Sequence, residues 1–224
     1  MLEIEVGLIK QLNIYIVMNK REDFVLSYYD GFNKLTGVSL EDFENYYNEA
    51  IYGGYPEEPG GSIWESEGKS IYVLIRILKP KKILEIGNFL GRSSNHILQA
   101  VEKNGMGEVT LLDIEERLQY DKLHNKNFNR VLDDSLNHLS SPMQYDLFVQ
   151  DGNHAREHVT KEIKLILDNN LPSNYYIWAH DYYMRTHPDC GVWLAWDEMK
   201  SKFNDFQTFQ DSKSNCGCSI AKKM

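Results

Sequence analysis

Two short stretches concentrate the residue types that could do chemistry. Asp151-Gly152-Asn153-His154 follows the apolar run Tyr145 to Gln150, and His180-Asp181 follows the run Tyr175 to Ala179. If both runs are strands of one sheet, Asp151, His180 and Asp181 reach the same edge. Two carboxylates and an imidazole are costly to crowd without a cation. Such a set suits an octahedral ion such as Mg²⁺. The plainer alternative makes Asp151 a helix cap and gives His180 a structural hydrogen bond. The metal reading is the favoured one.

The strongest local signal is Glu85-Ile86-Gly87-Asn88-Phe89-Leu90-Gly91-Arg92-Ser93. It stands where a strand turns into a helix, the place where doubly wound folds bind ligands. Gly87 permits close backbone approach, and Gly91 a tight helix start. Phe89 replaces the middle glycine of a dinucleotide fingerprint and would crowd a pyrophosphate, which Glu85 would also repel. Together with Ser93, these residues suit a phosphate-free ligand with a cationic amino group, as S-adenosylmethionine has. Asp113 ends the next strand, where a carboxylate can accept both hydroxyls of a ribose; the alternative is a helix cap. Asp134-Ser135 follows the third strand. There a capping Ser135 and an Asp134 that takes an adenine amine stand side by side as readings.

These placements need a framework. Strands are expected at Lys82–Ile86, Val109–Asp113, Arg130–Leu132, Tyr145–Gln150 and Tyr175–Ala179. Helices are expected at Glu65–Leu78, Ser93–Lys103, Arg156–Asp168 and Val192–Phe203. Alternation of this kind implies a parallel sheet covered on both faces. Phe206–Phe209 and Cys218–Lys222 read as a closing hairpin. The expected fold is α/β: a Rossmann-like, doubly wound, mainly parallel sheet ending in an antiparallel hairpin. An N-terminal helical segment precedes it. The Gly53-Gly54-Tyr55-Pro56 and Pro59-Gly60-Gly61 punctuation divides a cap or lid segment, 1–62, from a main domain, 63–224. Ser39 begins a helix there with Asp42 as its capping carboxylate, and Phe43, Tyr46, Tyr47 and Tyr52 are read as packing rather than as a lid.

Composition narrows the partners. The 224 residues suffice for one substantial core. A net charge of -9 repels phosphate backbones, which disfavours nucleic acid. No Asn/Asp-Pro-Pro-Tyr run is present to grip a flipped base. Cys190, Cys216 and Cys218 form no disulfide framework and read as reduced thiols. The apolar run Leu8 to Met18 is interrupted by Lys10, Gln11 and Asn13, too short and too polar for a membrane span. The expectation is a soluble, cytoplasmic protein without membrane partners; a homo-oligomer is left open.

The stretches E-I-G-N-F-L-G-R-S-S, L-L-D-I, D-D-S, D-L-F-V-Q-D-G-N-H and A-H-D-Y together resemble class I small-molecule O-methyltransferases. Macrocin-type sugar O-methyltransferases and cephalosporin-hydroxylase-like enzymes are the nearest subgroups, and catechol O-methyltransferase is a more distant likeness. The resemblance runs from Trp64 to the C-terminus. Trp64-Glu65-Ser66-Glu67-Gly68 resembles the family's first helix and implies that Glu67 lies beside the cofactor. The resemblance further implies that Glu85 meets the methionine amine and Ser93 its carboxylate, with Gly87 and Asn88 lining the same pocket. Asp113 would take the ribose, and Asp134 with Ser135 the adenine. Asp151 and Asp181 would ligate the metal, with His180 standing where the family has an acidic or amide ligand. His154 would be the general base.

The implied reaction is methyl transfer from S-adenosylmethionine to a hydroxyl of a sugar, glycoside or phenolic diol, with Mg²⁺ or a similar cation lowering the acceptor's pKa. Its rivals are a methyltransferase-like binding protein without activity and a metal-independent methyltransferase. A dinucleotide-dependent enzyme is disfavoured by Phe89 and Glu85.

Overall fold

Five apolar runs separated by amphipathic stretches can hide their backbone polar groups only by pairing side by side and being covered twice. The computed structural model describes residues 28–51, 63–125, 127–210 and 215–224. Its strands are β1 (Lys82–Ile86), β2 (Glu108–Asp113), β3 (Asn129–Leu132), β4 (Leu147–Gln150), β5 (Tyr175–His180), β6 (Asp205–Phe209) and β7 (Cys218–Lys223). They form one sheet in the order β3-β2-β1-β4-β5-β7-β6. The first five are parallel, and β7 runs antiparallel between β5 and β6. The expected sheet and its closing hairpin are therefore present.

Helix α1 occupies residues 28–36. It is followed by α2 (Leu40–Glu49), α3 (Glu65–Leu78), α4 (Arg92–Asn104), α5 (Ser135–Leu139), α6 (Arg156–Asn169) and α7 (Val192–Met199). Alternate strand residues feed two cores. Ile83, Val109, Leu147 and Trp178 face α3 and α4 in one buried cluster. Leu84, Leu112, Phe148 and Ile177 face α6 and α7 in the other. Each fully buried side chain of this size stabilises the fold by about 1.5–3 kcal/mol before entropy is counted.

Helix α2 starts as read, with the Ser39 hydroxyl accepting from the Asp42 N–H. Phe43 and Tyr47 are buried in the α3/α4 core, joined by Tyr28 and Phe32, whose rings pack 5.1 and 5.3 Å from that of Phe209 on β6. The Leu8 to Met18 run, Tyr52 and the Gly53 to Gly61 loop lie outside the described residues. No helix among those described is long and apolar enough to cross a membrane.

Strand β4 begins two residues later than expected. The Asn170 side chain takes over Tyr145's backbone bonds, and the Asp146 carboxylate turns away to accept the N–H groups of Lys81 and Lys82. Helix α7 stops at Met199 and continues as a 3₁₀ turn, Lys200–Lys202, where one longer helix was expected.

Register positions the site. Ile86 pairs with Gln150, and Gln150 with Ala179. One residue further on come Gly87, Asp151 and His180, abreast at the carboxyl edge. The strand order reverses between β1 and β4, and crevices at such points hold ligands.

Candidate active site

The β1–α4 loop sits under geometric constraint. Gly87 has φ +84°, and a Cβ there would lie 2.2 Å from the Asp151 carbonyl oxygen, so only glycine fits. Phe89 also holds a positive φ, of 47°. The Asp113 carboxylate keeps it there: one oxygen accepts the N–H groups of Asn88 and Phe89 at 2.8 and 2.9 Å, and the other that of Glu115 at 3.2 Å. Asp113 thus braces the loop while also lining a cavity.

Two cavities meet at this edge. The larger, about 670 Å³, is lined by Asn88, Ser93, His154, Asp181 and Cys216 among others. The smaller, about 330 Å³, is lined by Asp113, Asp134, Ser135 and His158 among others. Gly87, Phe89, Asp151, Gly152 and Asn153 border both, so they form the ridge between two halves of one site.

Two expected ligand contacts, at Glu85 and Glu67, are corrected by burial, and a third residue, His180, is already engaged by carboxylates. Glu85 lies fully buried beneath the loop and borders neither cavity; Asn88 Nδ2 and Ser94 Oγ donate to it at 3.1 and 2.5 Å. Burial pushes its carboxyl up to about 7, against the pull of the Ser93 and Ser94 hydroxyls. Glu67 is equally buried. One oxygen meets the Trp64 N–H and His180 Nε2 at 2.8 and 2.9 Å, and the other accepts the Gly217 N–H at 2.9 Å. His180 is then spoken for at both ring nitrogens, since Nδ1 lies 3.0 Å from Asp151 Oδ1. Carboxylates at both ring nitrogens make His180 a brace, and its atoms, with those of Asp181 and Cys216, also lie within 4.8 Å of one another. Burial alone would lower its pKa, but the Asp151 and Glu67 carboxylates outweigh that and raise it well above the ordinary value.

His154 stands beside both carboxylates at the cavity. Its Nε2 lies 3.5 Å from Asp151 Oδ1 and 3.3 Å from Asp181 Oδ2. Hydrogen bonding to Asp151 raises its pKa, against burial. Asp151 in turn is lowered: burial opposes its charge, but His180 and His154 prevail. Asp181 holds φ at +59°, a strained setting for a residue with a side chain, and its Oδ1 is buried without a hydrogen bond. Asp151, His154 and Asp181 offer atoms within 4.8 Å of one another, close enough to share a cation.

At the smaller cavity Asp134, not Ser135, caps α5, accepting the Leu136 N–H at 2.8 Å. Ser135 Oγ donates to Glu162 and lies 2.9 Å from His158 Nε2. Sequence reasoning missed His158 and Glu162, although their i,i+4 spacing on α6 was a signal. It also missed Cys216, which the β6–β7 turn brings beside Asp181 and His180.

Residues 84–182 match the family described as a methyltransferase domain. No curated protein matches the chain in sequence. Among solved structures, the chain is similar to the S-adenosylmethionine-bound O-methyltransferase TomG of Streptomyces achromogenes, involved in tomaymycin synthesis. Identity is 19% over 74% of this chain and 83% of that one, with a TM-score of 0.58. It is similar to the SAH-bound methyltransferase PaMTH1 of Podospora anserina, at 19% identity, 73% and 81% coverage and a TM-score of 0.57. An O-methyltransferase from Bacillus cereus in complex with SAH matches at 16% identity, 86% and 95% coverage and a TM-score of 0.57. The fold is that of class I S-adenosylmethionine-dependent methyltransferases.

Proposed function

We propose that this chain is an S-adenosylmethionine-dependent O-methyltransferase acting on a small-molecule hydroxyl, of a sugar, glycoside or phenolic diol. The observation that carries this is the shared ridge, Gly87 with Asp151 to Asn153. A ligand lying across it would place its nucleoside against Asp113 and Asp134, its amino-acid end near Asn88 and Ser93, and its centre facing His154. When bound, the cofactor supplies an electrophilic methyl group, and a divalent cation would supply a Lewis acid for the acceptor's oxygens. Asp151 and Asp181 fit such a cation: both are carboxylates, and Asp181 Oδ1 is buried with its hydrogen-bonding capacity unused. His154, at the mouth of the larger cavity, accepts the proton of the substrate hydroxyl. The ridge and the loop hold donor and acceptor in line, which removes much of the entropic cost.

A metal-independent variant has one observation in its favour. His154 Nε2 already faces both carboxylates, where its imidazolium could balance their charge. Chelator treatment separates the two, since turnover that survives it leaves His154 working without a cation.

The cofactor assignment is tested by calorimetric titration with S-adenosylhomocysteine and with NAD. Binding of the first alone is expected. Binding of NAD in its place would sink the assignment.

A further inference from the structure

The wall of the smaller cavity contains a hydrogen-bonded chain whose polarity can be assigned from its inner end. The indole N–H of Trp196 on α7 can only donate, and it does so to Gln150 Oε1 at 3.2 Å. That fixes the Gln150 amide, whose Nε2 therefore donates to Glu162 Oε2 at 2.6 Å. Glu162 is fully buried, and its other oxygen receives the Ser135 hydroxyl at 2.5 Å. Ser135 has spent its one proton, so its oxygen can only accept from His158 Nε2, 2.9 Å away. Glu162 Oε1, 3.2 Å from the same nitrogen, demands a proton there too. His158 Nε2 must carry hydrogen whatever the charge of the ring. Nδ1 is the nitrogen that titrates, and it makes no hydrogen bond to any described residue.

We infer that His158 is a specificity-determining residue for the base of the bound nucleoside, reading its exocyclic group through Nδ1. This rests on the cofactor reading above and extends it. Neutral His158 offers a lone pair at Nδ1, which complements the exocyclic amine of adenine and opposes the carbonyl oxygen of hypoxanthine. Protonated His158 offers N–H instead and reverses both relations. The base preference of the site therefore depends on pH, which a residue serving only to stabilise α6 would not produce. The groups facing the ring are Glu162 and Lys161 on α6 and Asp134 before α5. Asp133 and Asp151 stand on the same cavity wall. The hydrogen bond to Glu162 is foremost in raising the pKa of His158 above its usual value, with burial and Lys161 opposing.

The experiment is calorimetry on the full chain with S-adenosylhomocysteine and its inosine analogue, at about pH 8 and about pH 5.5, on either side of the histidine's range. The native protein should prefer the adenine ligand by roughly tenfold at the higher pH, the cost of one mispaired polar contact. That preference should shrink or invert at the lower pH. His158→Leu should lose the pH dependence. A native preference that ignores pH, or a His158→Leu protein that retains the native dependence, overturns the inference. If neither ligand binds the native protein, the cofactor reading falls and this one with it.

Discussion

The two halves of the site are built on opposite terms. At the nucleoside end, the carboxylates are satisfied within the protein: Asp113 holds three N–H groups, Asp134 caps α5, and Glu162 receives Ser135, Gln150 and His158. At the reaction end, groups are crowded and left wanting. Asp181 Oδ1 is buried without a hydrogen bond, His154 Nε2 is crowded 3.5 and 3.3 Å from the Asp151 and Asp181 carboxylates, and Asp181 bears a positive φ. Buried unsatisfied groups and strained backbone are rare and costly, and both gather where a ligand or reaction completes the structure. The contrast separates rigid recognition from chemistry, and mutations should follow it.

The largest effect should come from His154. A positioned base contributes about 10²–10⁴-fold to turnover, so His154→Ala should lower kcat by that much and leave S-adenosylhomocysteine affinity unchanged. Only neutral imidazole accepts a proton, so the native rate should rise with pH through the pKa of His154, which Asp151 holds above its ordinary 6.5. The variant should lose that limb of the pH–rate profile. If it keeps the limb and works within a few-fold of native speed, the division of labour is misplaced.

The brace behind the reaction end comes next. Glu67→Ala leaves His180 without one carboxylate and the Trp64 and Gly217 N–H groups without an acceptor. Breaking a buried pair on one side costs about 3–5 kcal/mol, which chemical denaturation would read. The pH sign follows from the raised pKa of His180. Its contribution is complete below the unfolded value, about 6.5, and is lost as pH rises through the folded one. Stability of the variant should therefore fall less with rising pH than that of the native protein. Equal slopes would mean that Glu67 does not hold the charge.

How much of this was legible in the sequence depends on what each residue answers to. Strands β1, β2 and β5 were readable because both faces are buried, so each is a nearly continuous apolar run closed by a charged or glycine residue. Gly87, Asp113, Asp151 and Asp181 were readable because a strand end fixes where its next residue stands. The direction of a side chain from that point was not. Glu85 points into the protein because Asn88 and Ser94, from the loop and helix that follow it, meet it there, and Glu67 does so because His180 and Gly217, distant in the chain, meet it. His180 is engaged as a brace for the same reason: the buried Glu67 claims its Nε2, while His154 stays at the cavity mouth. Cys216 reaches the site from a turn far along the chain, which no local pattern announces.

A smaller effect is expected at Asp113. Asp113→Ala should weaken S-adenosylhomocysteine binding by about 1–3 kcal/mol, through a lost charge-assisted contact and a loosened loop. Calorimetry that finds native affinity would make Asp113 a loop brace alone.

The smallest effect tests the nucleoside end from within. Asp134 was open to two readings, a cap for α5 or a partner for the adenine amine, and its Oδ1 accepts the Leu136 N–H at 2.8 Å. Removing such a cap typically costs about 0.5–2 kcal/mol of stability. Asp134→Ala should therefore unfold at lower denaturant by that amount, and Asp134→Ser, which can still accept the N–H, should recover most of it. Affinity for S-adenosylhomocysteine is the second axis. If the carboxylates at this end serve the protein's own bonds, binding should shift by less than the stability does, and Asp134→Ser should bind as the native protein does. Should Asp134→Ser fold with native stability and still lose affinity as the alanine variant does, the carboxylate itself meets the base. A carboxylate at the nucleoside end would then be left unfinished, as Asp181 is at the reaction end, and the contrast between the two halves would fail.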